Sequence, residues 1–155
     1  MRRYLLIAFA ALFAASIPVA GQEAGGTIGG RATVVDGGTV EIYGRNVRIY
    51  GIDAPERGAP GFGRATAFMR DAAEKGPFIC DVVDKDRDDV AVAVCRLEVD
   101  FLSEDVAESL LAEGLAKTDP GSLPLRPRLI AWYQEVEAEA KAQCRGLWQE
   151  LPECR

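Results

Sequence analysis

The 155-residue chain contains no histidine. This absence excludes mechanisms that depend on imidazole, among them Ser-His-Asp hydrolysis and hydrolysis by histidine-ligated zinc. Any catalysis must therefore depend on carboxylates, guanidinium groups and, if a metal takes part, a hard cation held by oxygen ligands.

The chain also lacks a cluster of basic residues. It has 18 Lys and Arg against 24 Asp and Glu, a formal net charge of −6. Lys and Arg supply most of the non-specific affinity of proteins for nucleic acids through phosphate contacts. The acidic balance therefore disfavours tight binding of DNA or RNA, and it identifies no particular protein partner.

Only one segment is long and apolar. Residues 4–20 are uncharged, follow Arg2 and Arg3, and lead into small residues, which is the layout of a secretory signal peptide. We predict a signal peptide at residues 1–21, cleaved after Ala20 or Gly21, with export to the periplasm or the medium and no stable membrane association afterwards. An uncleaved anchor is the alternative, because this run is at the lower limit for spanning a bilayer. Loss of the two arginines would change the net charge from −6 to −8.

The four cysteines contain no Cys-x-x-Cys pair, so zinc binding is the weaker interpretation. In an exported domain they are expected to form disulfides, for which three connectivities exist. Cys80 and Cys95 flank a polar run between two β-like segments, as partners across a hairpin do. We therefore favour Cys80 with Cys95, which leaves Cys144 and Cys154 to join the last helix to the tail.

Apolar periodicity and turn-forming residues predict one mixed α+β domain at residues 31–150, preceded by a flexible glycine-rich leader at 22–30 and followed by a tail at 151–155. Strands are predicted at 31–35, 39–43, 46–52, 78–83 and 90–97. Helices are predicted at 64–75, from an N-cap at Ser103 to Gly114, and at about 128–143.

The stretch VRIYGIDAPE, residues 47–56, combines one cation with two carboxylates. Arg48 can bind a phosphate through two hydrogen bonds, Asp53 can ligate calcium, and Glu56 can act on water. Arg48 and Asp53 would face opposite sides of a regular strand, so a bulge, expected at Gly51, is needed to bring them together. The alternative is a solvated salt-bridge cluster on the rim of the fold.

This stretch resembles the signature of the staphylococcal-nuclease (thermonuclease) family. Further pieces of the chain also match: residues 34–39, 86–95, 110–116 and 146–148. The resemblance implies a five-stranded OB-fold β-barrel with three packed α-helices. It also implies calcium-dependent cleavage of DNA and RNA, with two phosphate-binding arginines beside a metal held by two aspartates.

Carried over to this sequence, the resemblance assigns catalytic roles to Arg48 and Glu56 and a metal-binding role to Asp53. Two key positions depart from the family pattern: Gly38 stands where a metal aspartate is expected, and Val90 stands where the second arginine is expected. Asp36, two residues before Gly38, is the candidate substitute metal ligand. Arg87 is the candidate substitute for the missing arginine.

The acidic residues at 84–89 could suggest a calcium loop, but they lack its glycine and its final glutamate, which favours a solvated hairpin turn. Three hypotheses follow for the whole chain. The first is an exported nuclease-family domain with an impaired site and no cofactor. The others are a weak calcium-dependent nuclease using Arg48, Asp53 and Glu56, and an envelope protein-interaction module.

Overall fold

The computed structural model describes residues 25–122 and 124–154 of the chain. Within them the strands are β1 (Thr27–Gly30), β2 (Thr33–Val34), β3 (Thr39–Ile42), β4 (Arg45–Ile49), β5 (Ile52–Asp53), β6 (Phe78–Lys85), β7 (Ala91–Val99), β8 (Leu102–Asp105) and β9 (Lys117–Thr118). The α-helices are α1 (Phe62–Lys75), α2 (Val106–Ala112) and α3 (Pro127–Ala142). Short 3₁₀ helices lie at Pro120–Ser122, Gly146–Glu150 and Pro152–Cys154.

The strands form an OB-type barrel, as predicted. The main sheet has the order β1-β6-β7-β4-β3-β2, in which β4 and β7 are parallel and the other pairs are antiparallel. β8 also pairs with β7, in antiparallel orientation. Along β6 the side chains of Phe78, Cys80 and Val82 are buried at every second position, as expected for a strand with one face on the core. The end of β1 packs against the end of β3, since a Cβ at Gly30 would lie 3.1 Å from Ile42 Cγ2.

The strand predicted at 46–52 is interrupted by a turn at Gly51. β4 ends at Ile49, Gly51 has a φ of +81°, and β5 then pairs with β9 in a separate two-stranded sheet. A Cβ at Gly51 would lie 2.8 Å from Tyr133 Cε2, so only glycine allows α3 to approach this closely. The expected bulge is therefore realised as a full turn that redirects the chain toward Asp53.

The prediction of a flexible leader at 22–30 is wrong for residues 27–30, which form β1. Thr27 Oγ1 donates to Asp81 Oδ1 at 2.9 Å, and Arg96 bonds the other oxygen of Asp81 at 2.9 Å. The hydrogen bond from Thr27, and after it the one from Arg96, hold the pKa of Asp81 below its ordinary value. The glycines misled the prediction, because Gly29 lies within the strand, where a Cβ would be 2.8 Å from Ile79 Cδ1. The predicted signal peptide lies outside the described residues.

The predicted N-cap at Ser103 is also wrong. Ser103 belongs to β8, and Asp105 caps α2 by accepting a hydrogen bond from Glu108 N at 3.0 Å. Tyr133 OH donates to both carboxylate oxygens of Asp105, at 2.9 and 2.8 Å. Asp105 satisfies the N-cap preference as well as serine does, and its bond to Tyr133 of α3 is long-range and has no signal in the local sequence.

We expect the Asp105→Asn variant to gain stability relative to the wild type as the pH rises from about 4 to about 7. Burial raises the pKa of Asp105. A raised folded-state pKa gives stability that is present below the unfolded value of about 3.9 and is lost as the pH rises through the folded value. Asparagine keeps the cap without the charge. Urea unfolding midpoints at both pH values measure the difference, with Asp71→Asn on the exposed side of α1 as the charge-matched control. Parallel curves for wild type and Asp105→Asn would contradict this interpretation.

The two predicted disulfides are confirmed. Cys80 and Cys95 are cross-strand partners in β6 and β7, and Cys144 joins the end of α3 to Cys154 in the tail. Disulfides are typical of proteins that fold in an oxidising compartment. Within the described residues, none of the helices combines the length and the apolar character needed to cross a bilayer.

The segment after α3, residues 143–154, crosses the end of α2 at two glycines; this whole segment is called the tail below. Leu147 N donates to Gly114 O at 2.7 Å. Gly114 and Gly146 both have positive φ, and a Cβ on either would overlap the backbone of the other segment. This crossing is followed by Trp148, which is buried and whose ring is contacted by Lys117 of β9 and Lys141 of α3.

Candidate functional site

Three segments meet beside Gly38. Ile49 N donates to Gly38 O at 2.8 Å, which joins the turn at 36–38 to the end of β4. A Cβ built on Gly38 would lie 3.3 Å from Ala54 Cβ, next to Asp53. A side chain at position 38 would therefore contact Ala54, the residue that follows Asp53.

The three charged residues of the VRIYGIDAPE stretch are exposed. Arg48 lines a cleft of about 300 Å³ together with Asp84 and Lys85. Asp53 and Glu56 line a different cleft, of about 530 Å³. No ion pair joins Arg48 to either carboxylate in the part of the chain that the structure describes. The cation and the carboxylates are thus neighbours along the chain but face different clefts.

Asp36 maintains the turn that contains Gly38. Its Oδ1 accepts a hydrogen bond from Gly38 N at 2.9 Å, so one carboxylate oxygen is occupied by the backbone. This contact gives Asp36 a structural role whether or not its second oxygen binds anything.

The residues at the site do not fit a resident calcium ion. Calcium takes 6–8 oxygen ligands, commonly from several carboxylates. Among residues 25–122 and 124–154, no group of three or more Asp, Glu, Cys or His side chains is placed to hold a metal ion. Gly38, the position that faces Ala54, contributes no side chain.

The second departure from the family pattern lies at the hairpin between β6 and β7. Asp86 Oδ1 accepts hydrogen bonds from Asp88 N at 2.9 Å and Val90 N at 3.0 Å, and Lys85 pairs with Asp89 at 2.7 Å. The acidic run is therefore a hairpin turn closed by its own carboxylate. Val90 is half-buried at the end of this turn and supplies no cation.

The sequence did not reveal the second wall of the cleft that Asp53 and Glu56 line. That wall comes from the tail, chiefly Leu147, Trp148 and Leu151. The Cys144–Cys154 disulfide spans these residues, and it and the family match at 146–148 were the sequence signals that this segment belongs to the domain. The position of the tail along the cleft depends on the crossing of Gly114 and Gly146, a contact between distant segments that the local sequence does not indicate.

The fold, the segments that meet at Gly38 and the tail together define a nuclease-type OB domain. Residues 46–150 match the family described as "Staphylococcal nuclease homologue", and the chain belongs to this family. A relative is the protein described as "Succinoglycan biosynthesis protein ExoI" from Rhizobium meliloti (strain 1021), 31% identical over 138 residues, which cover 80% of this chain and 66% of the relative. The chain thus spans slightly less than two thirds of that relative's length.

Proposed function

We propose that this chain is an exported domain of the staphylococcal nuclease family that has lost metal-dependent phosphodiesterase activity and serves as a binding module. The observation that carries the proposal is the glycine at position 38. Its Cβ position lies 3.3 Å from the Cβ of Ala54, the residue that follows Asp53, yet position 38 supplies no carboxylate.

The charge at the site supports the same conclusion. Without a metal, the carboxylates of Asp53 and Glu56 repel a phosphodiester. Arg48, the one arginine in the VRIYGIDAPE stretch, lines another cleft. Removing one preorganised electrostatic group typically lowers a rate by about 10² to 10³, and here both a metal ligand and an arginine are missing.

Export is supported by two features. Two disulfides join all four cysteines in pairs, and the N-terminal residues have the composition of a signal peptide. Recovery of the mature chain from the periplasm or medium, with a new N-terminus near residue 21 or 22, tests this part of the proposal by N-terminal sequencing.

Zymography in a DNA-containing gel tests the loss of activity. We expect the wild-type protein to show no calcium-dependent clearing at loadings where an active staphylococcal-nuclease-family enzyme clears the gel. The Glu56→Ala variant and the matched Glu74→Ala variant on α1 should behave identically. Calcium-dependent clearing that disappears in Glu56→Ala but persists in Glu74→Ala would overturn the proposal and establish the weak nuclease instead.

A further inference from the structure

The cleft beside Asp53 and Glu56 combines two exposed carboxylates with an apolar wall. Its volume of about 530 Å³ lies within the range of ligand pockets, about 300 to 1,000 Å³. Leu147, Trp148 and Leu151 supply an apolar wall from the tail, and Pro55 and Pro60 also line the cleft.

Two cations close to these carboxylates in the chain or across the strand pair, Arg57 and Lys117, contact aromatic rings, and Lys117 also lines the cleft. Lys117 is the cross-strand partner of Asp53, yet its Nζ lies 5.7 Å from the centre of the Trp148 ring. Arg57, next to Glu56, lies 5.3 Å from the centre of the Phe62 ring. Within the described residues, the side-chain carboxylates of Asp53 and Glu56 have no hydrogen-bonding or ion-pair partner.

Loss of the metal reverses the sign of the charge that this site attracts. A carboxylate pair that holds a cation can attract phosphate through that cation, but the same pair without it attracts positive charge directly. Nucleic acids and anionic lipids are repelled for the same reason. The guest that matches the cleft is therefore positively charged at one end and apolar beside it.

We infer that the cleft binds a peptide segment of a partner protein in which a lysine or arginine stands next to an apolar side chain. This inference rests on the proposed loss of the metal site. The basic group pairs with Asp53 and Glu56, and the apolar side chain packs on Leu147 and Leu151. The Cys144–Cys154 disulfide fixes the tail that forms this wall.

Trp148 provides a reporter at the cleft. The chain has 2 tryptophans, and Trp132 is 47% exposed on α3, so Trp132→Phe leaves Trp148 as the only one. In this background the probe is the acetylated and amidated peptide Leu-Lys-Leu-Lys, titrated at about 20 mM salt, where surface charges are weakly screened. We expect a saturable change in fluorescence, and no change with the peptide Leu-Glu-Leu-Glu.

Adding Asp53→Asn and Glu56→Gln should weaken binding by about fivefold, the effect of two exposed ion pairs. Adding Asp71→Asn and Glu74→Gln on α1, which removes the same charge elsewhere, should leave the affinity unchanged. Equal weakening by both double variants, equal binding of the acidic peptide, or the absence of a saturable signal would overturn the inference.

Calcium separates this inference from the proposal on which it rests. We expect millimolar calcium to affect peptide binding no more than sodium chloride of matched ionic strength. Calcium that displaces the peptide from a protein that also cleaves DNA would overturn both proposals. A protein that neither cleaves DNA nor binds the basic peptide would overturn only the peptide site.

Discussion

The double variant Gly38→Asp, Val90→Arg is expected to gain calcium-dependent nuclease activity, by about 100-fold or more over the wild-type chain. The backbone at position 38 is already in place, because its carbonyl is bonded to Ile49 N at 2.8 Å and its Cβ position lies 3.3 Å from Ala54 Cβ. An aspartate there needs only a shift of a few tenths of an ångström at Ala54. Cleavage of a DNA substrate with calcium and with a chelator measures the gain.

The control for this variant is Gly38→Asn, Val90→Gln, which adds side chains of similar size without the charges. It should remain as inactive as the wild type, because neutral amides neither complete a calcium site nor stabilise the charge on phosphate. If the charged variant folds, as judged by its thermal transition, and still shows no gain, then the assignment of Gly38 and Val90 to the site is wrong.

Removing the Cys80–Cys95 disulfide by Cys80→Ala and Cys95→Ala is expected to lower the free energy of unfolding by about 3 kcal/mol. A bridge that closes a loop of this length, with a sequence separation of 15, restricts the unfolded chain by about that amount. Both side chains are at most 1% exposed, so their truncation also removes packing from the core. The melting temperature should fall by roughly 10 °C for a domain of this size.

The variant Cys144→Ala, Cys154→Ala is the matched comparison. Its loop is of similar length, with a sequence separation of 10, but both cysteines are only half-buried in the tail. We expect a smaller fall in melting temperature and increased proteolysis confined to the tail. A larger effect from the tail pair than from the barrel pair would contradict the view that Cys80 and Cys95 form part of the core.

Patterns in the sequence predicted most of the barrel because they are local. The alternation along β6, the helical spacing in α1 and α3, and both disulfide pairs needed no tertiary information. β1 was missed because its glycines indicated a flexible segment, although the structure packs Gly29 close to Ile79. β8 and the Asp105 cap were missed because Ser103 offered an equally good local start for α2.

The candidate site was predicted less completely, since its shape depends on contacts between distant segments. The motif itself identified Arg48, Asp53 and Glu56, and the missing aspartate at Gly38 was visible from the family pattern. Arg48 lines a different cleft from Asp53 and Glu56, and the two sides are separated by the turn at Gly51, which packs against Tyr133. The apolar wall formed by Leu147 and Leu151 depends on the tail, whose position no nearby residue determines.

The glycine crossing between α2 and the tail also determines when the domain can finish folding. The turn at Gly51 packs against Tyr133, and Gly114 O accepts a hydrogen bond from Leu147 N. Both segments therefore reach their final contacts only after α3 and the tail have been synthesised. At ribosomal rates of about 5 to 20 residues per second, roughly 4 to 16 s pass between the synthesis of Gly51 and that of Tyr133. Throughout this interval the turn at Gly51 lacks its packing partner on α3, so the incomplete barrel is exposed to aggregation until α3 is made.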